Sequence, residues 1–257
     1  MAEATQPAPR IDLQSAPDRQ TAPLWHTALL LVVLLGLSAL SYFSSRNLGP
    51  QNPNAVPPVS FRLVTYGATL VEEWVLFLLV LWGERMRSRM TVRERIGIRV
   101  EKDALVRDIG IAALAWGAAG LVNGVLSFLL HPPGREVVLK LLPHNLMELA
   151  LWVPLCASAG FCEEYIFRGY LQRQFGVVTG SLWVGVIIQA LLFGFAHGYQ
   201  GASNMAIIFC LGLIFGIVTK VRRSLRPTMI AHAWMDFFAG LFGYIVFASH
   251  LRIPHLN

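Results

Sequence analysis

The stretch Gly160–Tyr170, GFCEEYIFRGY, places two adjacent carboxylates and an arginine at the edge of an apolar run that begins near Leu146. An ionisable side chain in such a run costs about 2.5–3.5 kcal/mol on insertion scales, so its presence asks for a chemical reason. On a helix Glu164 and Arg168 stand four residues apart with the acid first, the favourable order for an ion pair. Arg168 then neutralises Glu164, and the two act as structural support. Glu163 is rotated about 100° away. It is left unpaired in a poorly hydrated place, where it is a candidate base toward water. For this segment alone, a helix-end salt bridge with a spare glutamate facing water is the plainer alternative.

Two further segments carry chemistry-bearing side chains. In FGFAHG, His197 ends an apolar run with Phe193 on the same helical face; in HAWMD, His232 and Asp236 stand four residues apart near the start of the last apolar run. Asp236 can orient one ring nitrogen of His232 and so choose its tautomer. Singly, each of these residues reads as a satisfied core or interfacial group. Together they supply Glu, His, His and Asp from three apolar segments, a hydrolytic constellation. A zinc site formed by His197, His232 and one carboxylate is the rival arrangement. The chain lacks the two-histidine helix motif that favours zinc, so the expectation is chemistry without a metal cofactor. Cys162, beside two carboxylates, is disfavoured as a thiolate nucleophile. Glu72 and Glu73 repeat the acidic dipeptide, but Phe77 and Leu78 stand where an arginine would be needed. They are assigned to a cavity wall or an interface, and Glu148 to an interface.

The elements that must position these residues are membrane helices. Of 257 residues, 55% are hydrophobic and 14% charged, against about 25% charged in soluble domains. Residues 1–23 read as a disordered tail, and 24–257 as one all-α domain, a polytopic bundle of about seven transmembrane helices. The expected spans are Leu24–Phe43, Val64–Trp82, Ile109–Leu130, Leu146–Phe167, Leu182–His197, Ala206–Val221 and Met229–Ser249. With the N-terminus inside, 16 of the 21 Lys and Arg fall on the cytoplasmic side, which predicts that orientation in a cell membrane. The net charge of +6 sits in short inter-span stretches, so nucleic acid is not an expected partner; the lipid bilayer is. Gly212 and Gly216 suit close helix packing. A straight fifth helix would carry His197 about 22 Å from its start, so its convergence with Glu163 needs a bent fifth helix or a longer fourth one.

In order along successive spans, Glu163-Glu164-x-x-x-Arg168, Phe193-x-x-x-His197 and His232-x-x-x-Asp236 resemble the CPBP family of intramembrane proteases. That family covers type II CAAX prenyl endopeptidases and bacteriocin-processing or self-immunity proteins, including those like lysostaphin resistance protein A. The resemblance spans residues 146–247, with the local wording EEYIFRGY, LLFGFAHG and AHAWMD. Asp236 departs from many relatives, which carry asparagine there. An ionised aspartate cannot donate to an oxyanion, so orientation of His232 is the role expected of it. The resemblance implies hydrolysis of a peptide or lipidated protein substrate at the membrane, with Glu163, His197, His232 and Asp236 as catalytic residues. A non-catalytic partner-binding or peptide-resistance protein that keeps these residues as a polar core is the alternative, and a small proton-coupled transporter is a third.

Overall fold

The computed structural model describes residues 20–47, 58–87, 90–97, 104–131 and 141–248. Most of the tail, Arg135, Lys140, Ser249 and Arg252 lie outside the described residues. The described chain forms helices α1 (Leu24–Asn47), α2 (Val59–Arg85), α3 (Val92–Ile96), α4 (Ala104–Leu130) and α5 (Leu146–Glu164). It continues through a π-helical segment (Tyr165–Leu171), α6 (Gln172–Thr179), α7 (Leu182–Ala196), a short 3₁₀ turn (Gly198–Gln200), α8 (Ala202–Arg222) and α9 (Arg226–Ala248). No strand occurs among the described residues.

Local chemistry sets several of the boundaries. Asn145 caps α5 by accepting the Glu148 N–H at 2.9 Å, which satisfies one of the donors a helix start leaves open. Thr91 and Glu94 form a reciprocal capping box on α3. Gly180, at φ 70°, closes α6 and reverses the chain into α7.

Among the described residues, six stretches are long and apolar enough to cross a bilayer: Leu24–Phe43, Val59–Arg85, Ala104–Leu130, Leu146–Thr179, Ala202–Arg222 and Arg226–Phe247. The seventh, Leu182–Ala196, is a shorter apolar helix. Its 15 residues reach about 22 Å, short of a hydrocarbon core of about 30 Å. Bulky apolar side chains on the outer faces stay exposed, among them Val64, Leu114, Leu121 and Phe128. Such a surface is stable against lipid tails rather than water. The molecule is a polytopic helical membrane bundle.

The fourth span corrects the expected boundary at Phe167. It runs unbroken in helical form from Leu146 to Thr179, 34 residues, through the π segment. Glu163 therefore lies about 24 Å from the Gly180 turn on one arm, and His197 lies about 22 Å from it on the other. The depth problem is solved by lengthening the fourth helix, not by bending the fifth. Gly185 packs directly against the Gln172 carbonyl, so it allows the two arms to approach closely. Gly212 does the same between α8 and Ala190 of α7.

Buried ion pairs join the remaining helices. Arg62 grips Glu148 through two hydrogen bonds of 2.7 and 3.1 Å, and both side chains are buried. Glu148 is thus an interhelical lock between α2 and α5, not the interfacial residue expected. Arg222 and Arg226 share Asp108, which ties α4 to α8 and α9. Glu84 accepts from Tyr165 at 2.7 Å and pairs with Arg95. Arg62, Arg95 and Arg173 are all buried, although the charge count placed them in the stretches between spans. Thr21 and Ala22, assigned to the tail, are also buried, and both donate backbone N–H groups to Gln174.

α5 and α9 meet at Gly160. A Cβ on Gly160 would stand 2.7 Å from the Met229 carbonyl and 2.9 Å from the Ala233 nitrogen. Both are backbone atoms of a helix, and neither can step aside singly. Gly160→Val is therefore expected to lower the detergent-solubilised protein's stability by about 1–3 kcal/mol through overpacking, read as a fall in the thermal unfolding midpoint. An unchanged midpoint would mean that the two helices do not pack this closely.

Candidate active site

His232 projects from α9 one residue before the Gly160 contact point at Ala233. The close approach of the helices places its ring against both carboxylates of the dipeptide. Nδ1 lies 2.9 Å from Glu164 Oε1, a hydrogen bond in which the ring N–H donates. Nε2 faces Glu163 Oε2 at 3.8 Å and Asp236 Oδ2 at 3.6 Å. Those two separations exceed a normal hydrogen bond, so Nε2 remains available to a group in the cavity. The ring is oriented by Glu164 and not, as the sequence suggested, by Asp236.

Glu164 also accepts from Arg168 Nη1 at 2.9 Å, with both side chains fully buried. The predicted pair forms even though Arg168 lies in the π segment, where Gln172 N–H reaches back five residues to the Phe167 carbonyl. Such wide turns often occur where a helix presents functional groups. The Arg168 guanidinium lies 4.3 Å from the centre of the Phe193 ring, a cation–π contact that partly replaces lost water. Phe193 also packs edge-on against His197 and His232. One aromatic ring thus spaces the two histidines.

His197 ends α7, and its Nδ1 is 2.8 Å from the Phe193 carbonyl. A carbonyl only accepts, so the proton resides on Nδ1 and Nε2 keeps a free lone pair. Ser38 of α1 donates to the Phe195 carbonyl at 2.6 Å, which braces this end of α7.

Glu163, His197, His232 and Asp236 line one cavity of about 220 Å³. All four expected residues converge, with Glu164 and Arg168 buried behind them. Glu73 lines the same cavity and is buried, whereas Glu72 is exposed. Sequence reasoning missed Tyr199, Gln200 and Trp152, which also border it. The only sequence signal for the first two was a polar pair between Gly198 and Gly201 at a helix end. Burial pushes the Tyr199 phenol up to about 12, so Tyr199 meets the cavity as a neutral hydroxyl. Trp152 Nε1 donates to the Asp236 carbonyl at 2.8 Å and fixes the backbone that carries the aspartate. No group of three His, Cys, Asp or Glu side chains among the described residues is arranged to hold a metal ion.

Fold and site together define a multi-pass membrane protein with a carboxylate–histidine cavity enclosed between its helices. Residues 145–238 match the family model described as type II CAAX prenyl endopeptidase Rce1-like, the same group that the three motifs resemble. No curated protein and no solved structure matches the chain.

Arg168→Met removes the cation and leaves Glu164 buried beside His232. A loss of about 3–5 kcal/mol is expected, as for other broken buried pairs. The Arg168→Met, Glu164→Gln double variant should recover part of that loss in a thermal unfolding series. A single variant as stable as wild type would show that the pair is not the source of the turn's stability.

Proposed function

We propose that this protein is an intramembrane endopeptidase that hydrolyses a peptide bond in a membrane-associated peptide or lipidated protein. The observation that carries this reading is the shared cavity: an acid and two imidazoles from three separate helices face one space large enough for a water molecule and a peptide carbonyl.

The chemistry follows from the donors and acceptors. Glu163 Oε2 receives no hydrogen bond from any protein donor, and His197 Nε2 has its lone pair free. A water placed between them donates one hydrogen to each, which points an oxygen lone pair at a carbonyl in the cavity. Glu163 takes the proton as the water oxygen attacks the carbonyl carbon. His232, in its doubly protonated form with Nδ1–H held from behind by Glu164, presents Nε2–H to the developing oxyanion. The C–N bond then breaks, the proton on Glu163 passes to the leaving nitrogen, and a carboxylic acid and an amine result, the acid then giving its proton to the amine. Asp236, 3.6 Å from Nε2, places a carboxylate on the cavity side of the ring, where its charge favours the protonated form.

Similarity of residues 145–238 to the CAAX endopeptidase model supports a prenylated or otherwise lipidated substrate, with other membrane-tethered peptides as alternatives. The same reading includes a cytoplasmic N-terminus, on the strength of the Lys and Arg asymmetry.

Purified wild type and Glu163→Gln are to be compared on a lipidated reporter peptide. Turnover should fall about 10²–10⁴-fold, the usual contribution of a general base, with no change in the unfolding midpoint. His197→Ala and His232→Ala should also lose turnover, and a chelator should leave wild-type turnover unchanged. Equal turnover by wild type and Glu163→Gln sinks the mechanism. Absence of turnover by wild type across varied peptides favours the non-catalytic, partner-binding reading.

A further inference from the structure

A second cavity lies at the other end of the α5–α6 arm, enclosed by the π segment, α6, α7 and the α8–α9 turn. Its lining includes five cationic side chains: Arg95, Arg168, Arg173, Lys220 and Arg223. Arg95 pairs with Glu84 and Arg168 with Glu164. No acidic side chain stands among the described residues that line the cavity itself.

Arg173 makes the imbalance acute. It is buried to nine-tenths, and its Nε has no hydrogen-bond partner. Its guanidinium feels Arg95 as a like charge and Glu84, already paired with Arg95, as an opposite one. Arg168 adds two more unpartnered buried donors, Nε and Nη2. Burying guanidinium N–H groups without acceptors is costly, and like charges raise that cost. An anion entering the cavity would satisfy both. Arginine forks match the spacing of oxygens on a phosphate.

The location narrows the source of that phosphate. Lys220, Arg223 and Leu225 fall where the apolar stretches Ala202–Arg222 and Arg226–Phe247 end, the level at which headgroups meet the bundle. Lys220 and Arg223 are half-exposed while Arg168, Gly169 and Gln172 are buried, so the mouth is basic and faces the interface. Trp183 lies under Lys220, with its ring centre 4.3 Å from Nζ, and tryptophan is favoured at this depth. The cavity holds about 30 Å³, enough for one or two oxygen atoms of a phosphate and not for a whole headgroup. Basic pockets of this kind between membrane helices suit anionic lipids.

We propose that the Arg173 cavity binds the phosphate of an anionic phospholipid, with one or two phosphate oxygens inserted among Arg173, Arg168 and Lys220. The site is separate from the carboxylate–histidine cavity, and its test reads binding rather than turnover. Delipidated full-length protein is to be titrated, by thermal unfolding and native mass spectrometry, with phosphatidylglycerol, with phosphatidylcholine and with inorganic phosphate. Phosphatidylglycerol is expected to raise the midpoint and remain bound, and phosphatidylcholine to do neither. Arg173→Gln should weaken phosphatidylglycerol binding about tenfold or more, the value of one lost charge-assisted contact. Without lipid, the same variant should be at least as stable as wild type, because it removes a buried cation with an unpartnered Nε while Glu84 keeps Arg95 as its partner. Lys220→Gln, at the mouth, should weaken binding without affecting lipid-free stability. Stabilisation by inorganic phosphate alone supports the oxyanion site and assigns it to a free phosphate. Equal responses of wild type and Arg173→Gln to every titrant, or an Arg173→Gln protein that is less stable without lipid, would overturn the proposal.

Discussion

Burial of Glu164 is the constraint on which the rest of the structure depends. A carboxylate removed entirely from water is tolerable only if its charge and lone pairs are answered nearby. Arg168 answers the charge from one turn along the same helix, and His232 answers a lone pair from α9. The second contact has a long consequence. It requires α9 to lie close enough to α5 for an imidazole to span the gap, and Gly160 provides that approach. The acid therefore acts as a joint between helices, and the neighbouring Glu163 is left facing the cavity on the other side of the same turn.

That joint sets the depth at which every other part must arrive. Leu225, at the α8–α9 turn, packs on Gly169, while His232 meets Glu164. Counted from those contacts, the acids and His232 both lie about two turns into the bundle. The α6–α7 hairpin extends beyond that level and returns with His197 at matching depth. Small residues permit this return: Gly185 lies against Gln172 and Gly212 against Ala190. In a bilayer the hydrophobic effect does little to hold helices together, so such close contacts and buried polar pairs carry the association. The Arg62–Glu148 and Asp108–Arg222–Arg226 locks serve the same end elsewhere in the bundle.

The convergence of Glu163, His197, His232 and Asp236 was legible in the sequence because ionisable groups stand out against apolar runs. A helical register also disclosed the Glu164–Arg168 pair, since both partners lie on one element. Partners on different elements left no such trace. Hydropathy reports how costly Arg62, Arg95 or Arg173 is to bury, but not whether an acid waits on another helix. These arginines were therefore read as loop charges. The true end of the fourth span was hidden for the same reason, because Arg168 and Arg173 resemble a boundary until their burial is known. The role of Glu164 toward His232 was missed because the adjacent Asp236 offered a local explanation with helical spacing. The competing partner lies 68 residues away in sequence.

Within the cavity the acids outnumber the cations that face them. Glu163, Asp236 and Glu73 line one space with two histidines, while Arg168 sits behind Glu164. At separations of 3.6–3.8 Å around His232 Nε2, the charge of each group is felt by the others. Under the proposed mechanism these facing groups form the exchanging set, which accepts a proton from water and returns it to a leaving nitrogen within one turnover. It also explains why the ring of His232 is anchored through Glu164, an acid outside the cavity. Were Asp236 its only support, the ring would be held by a group that itself belongs to the exchanging set. Anchored from behind, the imidazole would keep its geometry while protons move in front of it in the proposed reaction.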